Sequence, residues 1–432
     1  MRNVALADAL AEARETYVRR RPASRAHHAA AAAHQPGGNT RSVLFHGPFP
    51  FRAESGEGCR ITDSDGLTYV SMIGEHTAGL FGHSHPAIRA AVLRALDMGV
   101  NLTAHNPLES QLAALVCARF PAIDLVRFGN SGTEANLLAL ALARAATGRG
   151  TILAFNGGYH GSLFTFAAGP SAVNVPHRVV LAEYNDPVGA AALARAHAAD
   201  LAAIILEPML GGGGCIPANA PFLAALRDVA SETGALLIFD EVMTSRLAPG
   251  GLHGATGIRP DLVTLGKYVG GGLSFGAFGG RADLMGLFDP RRADALPHAG
   301  TFNNNTLTMS AGIAAMSEIY TPDVAVAHNA KGEALRAALN EAAAARGLPV
   351  VVTGQGSMMA FHFCAEPPTD AAGVAAANQP LKELLFLDLL ERGYYIARRG
   401  MIALSLAVGA TERAGFLAAF EEFLDSRATL IA

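Results

Sequence analysis

An uninterrupted apolar run, Ala235-Leu236-Leu237-Ile238-Phe239, ends in the carboxylate Asp240, and a second strand-like run, Asp261 to Gly266, ends in Lys267. Runs this short and this apolar read as strands buried on both faces, the setting of parallel sheets covered by helices. Val126 to Asn130, Thr151 to Phe155 and Ala202 to Leu206 repeat the pattern, the last running into Glu207-Pro208. Helical periodicity separates them, most clearly in ANLLALALARAA after Glu134. The alternation restricts the chain to an α/β fold with a mostly parallel sheet, in which Ser274 to Gly280 reads as a strand returning antiparallel. Ligands of such sheets bind beyond the carboxyl ends of the strands. Asp240 and Lys267, 27 positions apart, are therefore expected to face one cleft.

Lys267 stands out among the basic residues. Of 33 Lys and Arg only three are lysines: Lys267, Lys331 and Lys382. Lys331 and Lys382 sit in helical patterns and read as solvated helix faces. Lys267 instead lies between an apolar strand and the glycine cluster Gly270 to Gly272. An amine in apolar surroundings loses proton affinity and becomes able to capture a carbonyl. Schiff-base chemistry on pyridoxal 5′-phosphate (PLP) needs such a lysine and a carboxylate against the pyridinium nitrogen, and Asp240 supplies a candidate.

Charge and composition narrow the alternatives. A chain of 432 residues, 50% hydrophobic and 16% charged, with a formal net charge of −4, buries a large core in two or three domains and is not expected to bind nucleic acid. No apolar run approaches the length of a membrane span. Cys59, Cys117, Cys215 and Cys364 lack metal or redox spacing, which suits a reducing cytoplasm.

Other stretches offer candidate ligands. Ser131-Gly132-Thr133-Glu134 opens a helix, where free N–H groups and hydroxyls suit a phosphate; an ordinary capping box fits the same residues. In Gly157-Gly158-Tyr159-His160-Gly161, Tyr159 either stacks on a planar cofactor or is an exposed turn tyrosine. Gly211 to Gly214 reads as a flexible loop, and Gly300-Thr301-Phe302-Asn303-Asn304-Asn305 as a polar loop before a helix. His83 and His85 lack a third metal ligand. Residues 1 to about 35 read as an amphipathic helix, since Arg19-Arg20-Arg21 is not followed by a transit-peptide pattern. A hairpin is expected over 57–73 with its turn at Asp65-Gly66. Farther on, a long helix through 326–346 precedes strands at Val350 to Thr353, Ser357 to Cys364 and Met401 to Leu406. Arg41 leads an aromatic stretch, and Arg398-Arg399 precedes Gly400.

Taken together, SGTEAN (131–136), GGYHG (157–161), EP (207–208), FDEVMTSR (239–246), TLGK (264–267) and GTFNNN (300–305) resemble the class III aminotransferases. Within that family the chain is most similar to aromatic β-amino acid aminotransferases and, more distantly, to glutamate-1-semialdehyde aminomutases. The resemblance implies PLP fold type I: a large domain with a mixed, mostly parallel seven-stranded sheet, at residues 71–320, and a small α+β domain built from 1–70 and 321–432. It implies Lys267 as the Schiff-base lysine and proton shuttle, Asp240 at the pyridine nitrogen, and Tyr159 on the ring. Ser131, Gly132 and Thr133 would hold the phosphate, Glu207 and Met243 would line the cofactor site, and Thr301 would reach the site of a neighbouring subunit in a homodimer. Arg41 would bind a substrate carboxylate and Arg399, or its neighbour Arg398, the second carboxylate of a keto-acid acceptor. His76 stands near the substrate where the family has a tyrosine. The implied reaction is ping-pong transfer from a β-amino acid to 2-oxoglutarate or pyruvate. An intramolecular aminomutase would use the same cofactor residues, but two arginines favour two carboxylated substrates.

Overall fold

The structure, a computed structural model, describes residues 5–167 and 169–432. The first four residues of the expected N-terminal helix lie outside that range.

Seven strands form the central sheet: β1 (Leu125–Gly129), β2 (Thr151–Phe155), β3 (Arg178–Ala182), β4 (Leu201–Leu206), β5 (Leu236–Asp240), β6 (Leu262–Gly266) and β7 (Gly276–Gly280). Their order in space is β1-β7-β6-β5-β4-β2-β3. All neighbours are parallel except those of β7, which runs antiparallel to β6 and β1. β2, β4, β5 and β6 are buried along their whole length, which explains their unbroken apolar sequences. Alternate residues feed two cores. Leu153, Ile204, Leu237 and Phe239 pack under helices Pro187–Ala196 and Ala220–Thr233. Ile152, Ile205 and Ile238 pack under helix Gly132–Thr147.

The chain ends come together elsewhere. Ala9 and Tyr17, Tyr69, Leu384 and Phe420 share one apolar cluster. Strands Ala53–Glu57, Arg60–Asp63 and Thr68–Ser71 form an antiparallel sheet extended by Tyr394–Tyr395, and Asp65-Gly66 lies in the turn as expected. A second sheet joins Val350–Gln355, Met358–Phe363 and Met401–Ala403.

Three expectations are corrected here. The N-terminal helix is two helices, Leu6–Arg20 and Pro22–Ala32, because Pro22 has no N–H with which to continue the first. Arg21 at the break is fully buried over the Tyr17 ring and paired with Glu391 at 2.5 Å. The last strand stops at Ala403, since Leu404 and Leu406 donate instead to Ser357 and Leu80 at 2.9 and 2.7 Å. Lys382 does not face solvent. It is 2% exposed, with Nζ 3.1 Å from His362 Nδ1. Its helix, Gln379–Glu391, is buried from Leu381 through Leu390, so no solvent face exists for it.

Candidate active site

β5 and β6 lie side by side with Asp240 opposite Thr264, so the last residue of one and the residue following the other emerge at the same sheet edge. Asp240 is buried and held on both oxygens. Oδ2 accepts from Asn136 Nδ2 and lies against His160 Nδ1, each at 2.8 Å, while Oδ1 accepts from Val242 N at 3.0 Å. Asn136 is fixed in turn by the Thr264 hydroxyl at 2.7 Å. The carboxylate is thus aimed by groups from four separate segments. Glu241 beside it is structural: it accepts from the Leu252 and His253 N–H groups at 2.7 and 2.8 Å.

Lys267 follows β6 at φ +55°, a region that residues with a Cβ rarely occupy. Burial pushes its pKa down, with Arg41 and Arg399 acting in the same direction against Asp240 and Glu207. Asp240, Glu207, Arg41 and Arg399 thus lie near enough for their charges to act on this amine.

Ser131 caps helix Gly132–Thr147, its hydroxyl accepting from Glu134 N at 3.1 Å, while Glu134 accepts from Asn130 N at 2.7 Å. The capping reading is therefore correct for that hydroxyl. It leaves the next N–H groups, of Gly132 and Thr133, without partners inside the helix, as any helix start does. Glycine at 276 is needed to bring β7 here, because a Cβ would run into the Ser131 carbonyl. Tyr159 is 43% exposed at the strand-end loop. Its N–H donates to Glu207 Oε1, and Gly211 N–H to Glu207 Oε2, both at 3.0 Å. Glu207 therefore staples two loops together. Burial, with Asp240 nearby, raises its pKa to about 7.

The glycine run is not a flexible loop. It closes the small ladder Met209–Leu210 with Ile216–Pro217, and Gly214 O accepts from Thr353 Oγ1 at 2.8 Å. Met243 packs against Gly211 within a buried cluster that includes Met209, Cys215 and Met401. Thr301 is exposed on its loop.

The arginine ambiguity is resolved by a turn. Ala397 and Gly400 close it through a 2.8 Å hydrogen bond, which sends adjacent side chains opposite ways. Arg398 points out and pairs with Glu383 at 2.6 Å, so it is withdrawn as a substrate ligand. Arg399 points in, with Nη2 3.3 Å from His76 Nδ1. Arg41 lies 3.5 Å from Glu75. Arg41, Glu75 and His76 line a cavity of about 500 Å³ with His46 and Tyr395. Asn136, His160 and Glu75 had no role in the sequence reading. The first two lie inside quoted motifs, but contacts across 104 and 80 residues leave no local pattern.

The family profile Aminotransferase class-III matches residues 45–411. A beta-phenylalanine transaminase of Variovorax paradoxus is 48% identical over 431 residues, covering 100% of this chain and 99% of the relative. The chain is a class III aminotransferase. The crystal structure of a beta-phenylalanine aminotransferase from Variovorax paradoxus superimposes with a TM-score of 0.97 at 48% identity, covering 99% of each chain. An omega-transaminase from Sphaerobacter thermophilus gives 0.88 at 36% identity, with 96% of this chain and 98% of that one covered. A glutamate-1-semialdehyde 2,1-aminomutase of Desulforudis audaxviator is 37% identical over 402 residues, 89% of this chain and 93% of the relative. The aminotransferase uses PLP, and its residues fit that group. A desolvated amine, an oriented buried carboxylate and unpaired helix N–H groups meet at one strand edge, and His160 Nε2 is buried without a partner.

Proposed function

We propose that this aminotransferase moves the amino group of a β-amino acid, aromatic and β-phenylalanine-like, to 2-oxoglutarate or pyruvate in a ping-pong cycle. The observation that carries the reading is that Arg41 and Arg399 reach the adjacent residues Glu75 and His76, at 3.5 and 3.3 Å, near enough to Lys267 for their charges to act on it, which suits carboxylated substrates on both sides of the reaction. The names of the relatives above support the donor class.

PLP, when bound, supplies the carbonyl that takes up the amino group and the ring that accepts the electron pair left by a departing proton. Lys267 would hold the cofactor and move that proton at the substrate carbon, a role that the lowering of its proton affinity by burial suits. Asp240 would face the pyridine nitrogen, Tyr159 would cover the ring, and Glu207 and Met243 would support that side. Ser131, Gly132 and Thr133 would take the phosphate. Arg41 and Arg399 bind carboxylates, for which the forked guanidinium suits better than a lysine.

The same proposal includes a homodimer in which Thr301 completes the neighbour's site, supported by exposed Leu96, Met98, Leu102 and Phe302. It includes the division at residues 70 and 320, supported by the apolar cluster that both chain ends share. It also places the enzyme in the cytoplasm, which four free cysteines suit, and no described helix is long and apolar enough to cross a membrane.

The test is to mix the yellow holoenzyme with (S)-3-amino-3-phenylpropanoate without an acceptor and follow the cofactor absorbance. Bleaching that 2-oxoglutarate or pyruvate reverses is expected. A spectrum unmoved by this donor would discard the β-amino acid and leave the aminotransferase.

A further inference from the structure

Residues 74 to 77 form a left-handed turn, with φ of +48° at Gly74, +49° at Glu75, +50° at His76 and +80° at Thr77. Residues with a Cβ rarely adopt this backbone, so the surroundings must impose the turn. They do so through hydrogen bonds from His76 N to Ile73 O and Gly79 N to Gly74 O, both at 3.0 Å. Gly74 also lies so close to the Ala403 carbonyl that no Cβ fits. The result is that two consecutive side chains meet two arginines from opposite ends of the chain.

The two pairs are chemically unlike. Arg41 has a half-exposed carboxylate, Glu75, at 3.5 Å. Arg399 is half-buried and, among the described residues, has no ion-pair partner; its Nε is buried without an acceptor, and besides His76 Nδ1 its one hydrogen-bond contact among them is Met401 Sδ at 3.4 Å. A guanidinium only donates, so His76 Nδ1 must accept through its lone pair, with the ring proton on Nε2. His76 is then neutral. Its burial, followed by the charges of Arg399, Arg41 and Lys267, pushes its pKa down to about 3, which keeps it neutral at any working pH.

We infer that His76 is a positioning and specificity-determining residue: its neutral ring nitrogen fixes the Arg399 guanidinium in the cleft without cancelling its charge, so that acceptors with a second carboxylate are favoured over acceptors with one. The inference rests on the aminotransferase reading. A carboxylate at position 76 would orient the guanidinium but neutralise it. An apolar ring would leave the charge and lose the orientation.

The experiment compares His76→Asn, His76→Phe and His76→Asp holoenzymes in kcat/KM for 2-oxoglutarate and for pyruvate with one donor. Binding of the unreactive glutarate and butanoate is followed by calorimetry. Asn and Asp tolerate the left-handed backbone, so these variants are compatible with the turn. His76→Asn keeps the selectivity ratio, because its amide oxygen also accepts. His76→Phe lowers the ratio about tenfold and His76→Asp about a hundredfold, through KM for 2-oxoglutarate. Glutarate affinity falls in the same order while butanoate affinity stays put. Equal losses for both acceptors and both ligands, or an unchanged ratio in His76→Asp, would overturn the assignment. A wild-type enzyme that aminates neither keto acid would defeat the functional reading instead, and glutarate binding would still decide the role of His76.

Discussion

Lys267 and Lys382 are both lysines withdrawn from water, and burial lowers the pKa of both. They differ in what surrounds them. Lys267 sits at a strand end, with the carboxylates Asp240 and Glu207 and two arginines acting on it, and with glycines leaving room beside it. Lys382 is inside a buried helix, its amine against His362 Nδ1 and near Cys215 and Cys364, with its pKa down to about 8. On the proposed mechanism, then, desolvation alone does not make a reactive lysine. The access of a carbonyl and an oriented carboxylate for the group it carries are what separate the two.

Substitution separates them most sharply. Lys267→Ala is expected to reduce turnover roughly 10,000-fold or more and to remove the absorbance of covalently held PLP. Lys382→Ala should leave kcat near wild type and lower Tm, since it opens a gap and strips His362 Nδ1 of its donor. Comparable loss of turnover in both would break the comparison. Asp240→Asn removes the feature that Lys382 lacks. It is expected to lower kcat about 100- to 1,000-fold while the amide keeps the fold, and a near-normal kcat would remove Asp240 from the mechanism.

The smallest effect concerns stability alone. The folded pKa of Lys382 lies at about 8, below the ordinary lysine value of 10.5. Between those values the unfolded chain binds more protons than the folded one, so this lysine makes stability rise with pH across that window. Below the folded pKa the full penalty for burying the charge applies. Lys382→Met should abolish that rise, worth on the order of 3 kcal/mol across the window, when its urea midpoints at neutral and alkaline pH are compared with wild type. Parallel curves for the two proteins would place the Lys382 amine in water after all.

The same contrast explains what could be read early. The sheet strands were legible because burial on both faces writes an unbroken apolar run, as in Leu236–Asp240 and Leu262–Gly266. Lys382 was misread because PLKELLFLDLLERG mixes charged and apolar residues as a surface helix does, although Lys382, Glu383 and Asp388 are all buried. Glu383 and Asp388 find arginines, at 2.6 Å for Arg14 and 2.9 Å for Arg427, from the other end of the domain and the last helix. Such pairing is invisible locally.

By itself the sequence determined the α/β class, the strand ends, the helix capped by Ser131, the place of Asp240 and Lys267 at the ends of two strands, and the family. Each of these is written in neighbouring residues, through periodicity, capping and short motifs. Only the tertiary structure decided that Arg399 and not Arg398 enters the cleft, that Asn136 and His160 aim Asp240, and that Gly74 to Thr77 turn left-handed. Those outcomes depend on which way a tight turn sends adjacent side chains and on contacts between distant segments. They are fixed by packing, for which a single sequence carries no local signal.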